Sequence, residues 1–139
     1  MPVKVLVVDD DDLVLELAND ALSGEFEVTV AATPAEALEA VEANDFAVIC
    51  SDFRMPGMDG VALLDRVAQR LPAMRAVLLT GSDVEAAKAS RSAFAVLTKP
   101  FRPSELLGLV RALAAGDLTR AGEIADGWGV KMAKPAPAA

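Results

Sequence analysis

Five short runs of almost unbroken apolar residues punctuate the chain: VKVLVV at 3–8, FEVTVA at 26–31, FAVICS at 46–51, AVLLT at 76–80 and FAVLT at 94–98. A strand with one wet face alternates apolar and polar positions. Runs without that alternation belong to strands covered on both faces, as in a parallel sheet between two helical layers. The stretches between them repeat their apolar residues every three or four positions, which predicts helices. The first spans about Asp12 to Leu22, with Leu13, Leu17 and Ala21 on its apolar stripe and Gly24 as a stop. Thr33-Pro34-Ala35-Glu36 is a capping box with proline at the first helical position, so a second helix begins there and Asn44 closes it. A third follows Gly60, carries Val61, Leu64, Val67 and Ala68, and ends before Pro72. A fourth, Asp83 to Ser92, is short and poor in apolar residues, and a fifth opens near Pro103 with Leu106, Leu107, Val110 and Leu113.

Strictly alternating strands and helices, joined by right-handed crossovers, predict an α/β fold with a doubly wound, five-stranded parallel sheet. The flavodoxin-like strand order 2-1-3-4-5 is a common solution. The pattern supports one domain over residues 1–116. Beyond it, 117–139 reads as a tail with a short extra helix near Leu118 to Ala125, then a disordered Pro-Ala-rich end. Trp128 in this tail either packs on the domain or contacts a partner.

Composition narrows the chemistry. The 139 residues are 53% hydrophobic and 24% charged, enough apolar surface for a real core in one domain. The net charge of -8 repels phosphate backbones and anionic lipid surfaces, so neither nucleic acid nor membrane is an expected partner. With no histidine and only Cys50, the chain has no Ser-His or Cys-His nucleophile, no disulfide and no zinc cluster; Cys50 reads as a small buried apolar residue. No signal-peptide pattern and no apolar run near ~18 residues appears, so a cytoplasmic location is expected.

The residues that carry chemistry stand at strand ends: Asp9 and Asp10 after the first strand, Asp52 after the third, Thr80 at the end of the fourth and Lys99 just after the fifth. In doubly wound sheets these ends share one edge, where ligands bind. Two carboxylates about 4 Å apart repel by ~4 kcal/mol at an effective dielectric of 20, so something must offset that repulsion. Mg²⁺ suits a site of a few carboxylates, water and a phosphate oxygen. Lys99 can pair with a phosphoryl oxygen, Thr80 can donate a hydrogen bond, and Asp52 is the best-placed carboxylate nucleophile. Asp11 and Asp12 are assigned to the start of the first helix.

VLVVDDD at 5–11, SDFRMPGMDG at 51–60, LLTGS at 78–82 and LTKPF at 97–101 together resemble the receiver domain of two-component response regulators, over about residues 3–115. The resemblance implies that Asp52 accepts a phosphoryl group from the phosphohistidine of a histidine kinase or phosphotransfer protein. It also implies that Asp9, Asp10, Asp52 and the backbone carbonyl of Arg54 hold Mg²⁺, that Thr80 and Lys99 attend the phosphoryl group, and that a cis bond precedes Pro100. The expected protein is a stand-alone switch rather than an enzyme, acting on a downstream protein target, and a homodimer through the helix 4 to helix 5 face is left open. Two features depart from the family pattern. Val96 stands where an aromatic residue is usual, with Phe94 expected on the same face of its strand, and the stretch from Thr80 to Lys99 is short. Two rivals follow. One is a receiver-like interaction module no longer switched by phosphate. The other is an aspartate-nucleophile phosphatase of the haloacid dehalogenase type, which wants an acid where Arg54 stands.

Overall fold

The computed structural model describes residues 2–129 and 131. Five strands and five helices alternate along it: β1 Lys4–Val8, α1 Asp12–Leu22, β2 Glu27–Ala31, α2 Pro34–Ala43, β3 Val48–Asp52, α3 Gly60–Arg70, β4 Arg75–Thr80, α4 Val84–Lys88, β5 Ala93–Thr98 and α5 Pro103–Ala115. A short helix, α6 Leu118–Ile124, and a two-residue strand, β6 Gly127–Trp128, follow. The sheet order is β2-β1-β3-β4-β5-β6. The chain therefore has the flavodoxin-like fold, with its first five strands parallel.

Alternation along each central strand sends side chains into two separate cores. Val5, Val7, Val48, Cys50, Val77 and Leu79 face α1, α5 and α6. Leu6, Val8, Ile49, Ala76 and Leu78 face α2, α3 and α4. Both faces are dry, which is why the strands read as continuous apolar runs. Half of the capping box forms as expected, the Thr33 hydroxyl accepting from the Glu36 amide at 3.1 Å, while Glu36 reaches back one residue further and accepts from the Ala32 amide at 3.1 Å rather than from Thr33. Asp11 caps α1 and Asp59 caps α3 in the same way.

The structure corrects four details of the sequence reading. The sheet has six strands rather than five, because β6 pairs antiparallel with β5, Trp128 opposite Ala95 and Gly127 opposite Val96. A two-residue strand has no periodicity to detect; it forms because α6 folds back onto α5 and carries the chain to the β5 edge. Glycine permits the approach, since a Cβ on Gly129 would lie 2.1 Å from the Ala93 carbonyl oxygen. Trp128 packs its ring on Gly122 and donates its indole N–H to the Gly122 carbonyl at 3.1 Å, while half its surface stays exposed.

The buried stripe of α1 is Leu15, Ala18 and Leu22, not Leu13, Leu17 and Ala21; Leu13 is 74% exposed. Both stripes have helical spacing, and the entry angle of the chain from β1 decides which one faces the sheet. Helix α4 is a single five-residue turn ending at Lys88, and Ser90 and Ser92 are buried in the loop beyond it. Finally, Phe94 does not share a face with Val96. The β4–β5 register slips between Ala76 and Val77, which pair with Ala93 and Ala95, so Phe94 is an extra residue. Such a bulge breaks the two-residue alternation. Phe94 packs with the α1–α5 core and Val96 with the α2–α4 core. The Pro-Ala-rich end expected to be disordered lies outside the described residues.

Candidate functional site

The carboxyl ends of β1, β3, β4 and β5 bring Asp9, Asp52, Thr80 and Lys99 to one edge of the sheet. Asp9 leaves β1 as a continuation of the sheet, its amide bonded to the Ala31 carbonyl at 3.1 Å, and its side chain is fully buried. One carboxylate oxygen, Oδ1, accepts from the Asp11 amide at 2.9 Å, which turns the chain into α1. Asp52 closes β3 in register with Leu79 and is 8% exposed. Thr80 is buried at the end of β4, and its carbonyl accepts from the Lys99 amide at 2.8 Å. That backbone bond brings Lys99 alongside, and the Lys99–Pro100 bond is cis.

The Lys99 ammonium bridges the two buried carboxylates. It stands 2.7 Å from Asp9 Oδ2 and donates to Asp52 Oδ1 at 3.1 Å. Both contacts are short ion pairs, so the ammonium is the partner of the fully buried Asp9 Oδ2 as well as of Asp52 Oδ1. Burial pushes the Asp52 carboxyl above its ordinary range and the negative charge of Asp9 adds to this, outweighing the opposing pull of Lys99 and the Arg54 amide. Burial draws Lys99 the other way, down, but its bonds and charge interactions with Asp9 and Asp52 prevail and hold it above the usual lysine value. One ammonium thus serves two carboxylates, with a third, Asp10, exposed beside them. Asp9, Asp10 and Asp52 each offer an oxygen within 4.8 Å of the others. An all-oxygen donor set of three clustered carboxylates, with one ammonium among them to offset the charge, fits a hard divalent cation such as Mg²⁺.

The β3–α3 loop shapes the rim. Pro56-Gly57 makes the turn, and Gly57 takes a φ of 88°, which favours glycine. Arg54 is exposed; its guanidinium lies 4.8 Å from the centroid of the Phe53 ring and its Nε bonds Asp83 Oδ2 at 3.0 Å. The Asp83 amide in turn donates to the Thr80 hydroxyl oxygen at 3.1 Å. On the opposite rim, Leu13, Val14 and Leu17 of α1 form an apolar groove with Lys99, Pro100 and Phe101.

All the strand-end residues singled out from sequence therefore lie together. Sequence reasoning missed Gly60, taken only as a turn former. A Cβ at Gly60 would stand 2.2 Å from the Asp52 carbonyl oxygen, so the absent side chain is what lets α3 pack under Asp52. A glycine opening a helix eight residues after Asp52, where almost any residue would serve, was the available signal. Cys50 is buried with its thiol pushed up to about 12 by desolvation, hence inert. Among the described residues no helix is long and apolar enough to cross a membrane.

The sequence model of the response regulator receiver domain matches residues 5–111. The chain is 41% identical over 110 residues to the DNA-binding transcriptional regulator NtrC of Escherichia coli (strain K12), covering 76% of this chain and 24% of that protein. It thus spans about a quarter of the length of such relatives. Among solved structures, the chemotaxis response regulator CheY4 of Vibrio cholerae superposes with a TM-score of 0.74 at 29% identity, covering 81% of this chain and 99% of that one. A CheY-like receiver domain protein from Methanospirillum hungatei JF-1 superposes with a TM-score of 0.76 at 28% identity, covering 88% and 98%.

Proposed function

The chain belongs to the response regulator receiver domain family, and from that premise we propose that it is a phosphoacceptor switch, with Asp52 as the residue modified. The carrying observation is the convergence of Asp9, Asp10, Asp52 and Lys99 at one sheet edge, where a single ammonium is shared by two buried carboxylates and a third carboxylate stands exposed beside them. The donor in this reading is a histidine kinase or phosphotransfer protein, in the cytoplasm. An Asp52 carboxylate oxygen attacks the phosphorus of a phosphohistidine. The new O–P bond forms as the N–P bond breaks, and the electron pair returns to the imidazole nitrogen, which takes up a proton from solvent.

Phosphoryl transfer is chiefly positioning and charge neutralisation, and this chain supplies both. Lys99 is held between Asp9 and Asp52, where its ammonium can follow a phosphoryl oxygen. Thr80 accepts from the Asp83 amide and so keeps its own hydroxyl proton free to donate to the phosphoryl group. Asp9, Asp10, Asp52 and the backbone carbonyl of Arg54 would hold Mg²⁺, which supplies the positive charge that neutralises the acidic cluster and the incoming oxygens. The exposed Leu13 and Leu17 beside Lys99 suit a protein donor laid over the site. The receiver unit is 1–116, with 117–139 appended to it, and the modified state is read by a downstream protein. An Arg54 guanidinium cannot act as a general acid, which argues against the aspartate-nucleophile phosphatase. Val96 favours an alternative, an interaction module without a phosphate switch.

Intact-mass spectrometry after acetyl phosphate and Mg²⁺ separates the two readings. A phosphoryl adduct is expected on the wild type, lost in Asp52→Asn and strongly reduced in Asp10→Asn. A folded wild-type protein that takes no adduct, or an adduct that survives Asp52→Asn, would overturn the phosphoacceptor reading.

A further inference from the structure

Resting on Asp52 as the phosphoacceptor, we propose that Asp83 is the positioning residue through which the state of Asp52 reaches α4 and β6. Asp83 occupies the N-cap position of α4, yet its carboxylate makes no cap hydrogen bond to that helix. The carboxylate is instead taken by Arg54 Nε at 3.0 Å, while the Asp83 amide is taken by the Thr80 hydroxyl at 3.1 Å. Both partners border the reacting group. Arg54 is two residues beyond Asp52. Thr80 follows Leu79, the register partner of Asp52. One residue at the start of α4 is thus tied twice to the rim of the site, through two side chains that a phosphoryl group would attract.

The latch is built to open. The Arg54 and Asp83 side chains are 68% and 42% exposed, and ion pairs so exposed contribute little to stability. A phosphoryl group carries a charge of about −1.5 to −2 and three acceptor oxygens, against one negative charge on Asp83, so it outcompetes Asp83 for the guanidinium. Thr80, turning to donate to the same oxygens, draws its hydroxyl away from the Asp83 amide or pulls that amide with it.

What moves next is also on the page. Helix α4 is one turn long, with Ala87 as its buried residue, so few contacts hold it. Its Val84 and Lys88 side chains lie over Gly127 of β6: a Cβ there would meet each at 3.0 Å. β6 is two residues long and is tied to β5 rather than to α4, by Asp126 N–H to the Val96 carbonyl at 2.8 Å, Gly129 N–H to the Phe94 carbonyl at 2.8 Å and the Thr98 amide and hydroxyl to Asp126 Oδ2 at 2.7 Å each, so α4 can move over it. Release of Asp83 therefore shifts α4 against β6 and changes which part of the β5 edge is covered. Val96 lies buried in the core that includes Ala87 and has only methyl groups, with nothing to answer a charge, so the path runs along the rim rather than through the core.

The molecule carries its own reporter, since Trp128 is its single tryptophan and belongs to β6. Trp128 emission is measured before and after beryllofluoride with Mg²⁺ for the wild type, Asp83→Ala and Asp83→Asn, with intact-mass labelling by acetyl phosphate on each. The wild-type emission is expected to shift. Both variants are expected to start near the shifted value and to lose most of the further change, although they still label. Asp83→Asn removes the charge that holds Arg54 while keeping the size of the side chain and its capacity to cap a helix, which covers the case that Asp83→Ala destabilises α4. Labelling of the wild type without any emission change, or a full change in both variants, overturns the role of Asp83 alone. Absence of labelling in the folded wild type overturns the phosphoacceptor reading and this inference with it.

Discussion

Gly60→Ala adds one carbon in a place where the backbone of Asp52, the proposed phosphoacceptor, already stands. A Cβ there lies 2.2 Å from the Asp52 carbonyl oxygen, 3.1 Å from the Asp52 carbonyl carbon and 3.0 Å from Leu78 Cδ2. The leucine methyl can rotate aside. The carbonyl cannot, because the chain beside it is pinned by the Phe53 amide to the Leu79 carbonyl at 2.8 Å and by the Gly60 amide to the Phe53 carbonyl at 2.9 Å. A relaxed carbon–oxygen contact is about 3.3 Å, so α3 and the end of β3 must part by roughly 1 Å. Overpacking of this kind costs ~1–3 kcal/mol, and because Gly60 is the first residue of α3 the interior helix propensity of alanine offsets little of it, leaving a net loss of about 1–3 kcal/mol. The effect on chemistry is the larger one, because displacement of a reacting group by ~1 Å costs about 100-fold in rate. Urea unfolding gives the first quantity, and the time course of acetyl phosphate labelling followed by intact mass gives the second. A folded Gly60→Ala protein labelled at the wild-type rate would refute the reasoning, since it would show that the Asp52 carboxylate is not positioned through this contact.

Two further outcomes follow from the charges and the rim. Because burial and Asp9 raise the Asp52 carboxyl above its ordinary 3.8, the native state holds that proton more tightly than the unfolded chain. The stability from this group is therefore complete below 3.8 and is lost as pH rises through the native value. Without divalent cations, Asp52→Asn is expected to be more stable than wild type at pH 7 and to converge with it in acid; equal urea midpoints at pH 7 would refute this. Leu13→Ala removes the most exposed large apolar side chain beside Lys99 and is expected to slow transfer from a phosphohistidine protein roughly tenfold, the equivalent of ~1.4 kcal/mol of lost contact, while acetyl phosphate labels it at the wild-type rate. Equal effects on the two donors would show that α1 is no docking surface.

Much of this molecule is decided locally and is visible in its letters. Unbroken apolar runs mean strands wetted on neither face, Thr33 to Glu36 carries its own cap, and the crossovers then place Asp9, Asp52, Thr80 and Lys99 at one edge whatever the details of packing. Those details are where the sequence stops. The apolar stripes of α1 are equivalent by spacing, and only the angle at which the chain leaves β1 turns Leu15 inward and Leu13 outward. The bulge at Phe94 belongs to the pairing of β5 with β4, a constraint between segments that no periodicity records. β6 exists because α6 delivers Gly127 and Trp128 to an unpaired sheet edge, and two residues carry no pattern of their own. The same is true of Gly60 and Asp83, whose roles lie in contacts eight and three residues beyond the groups they serve, Asp52 and Thr80. Periodicity and caps depend on neighbours along the chain, whereas register, close approach and the sharing of one lysine by two carboxylates depend on neighbours in space.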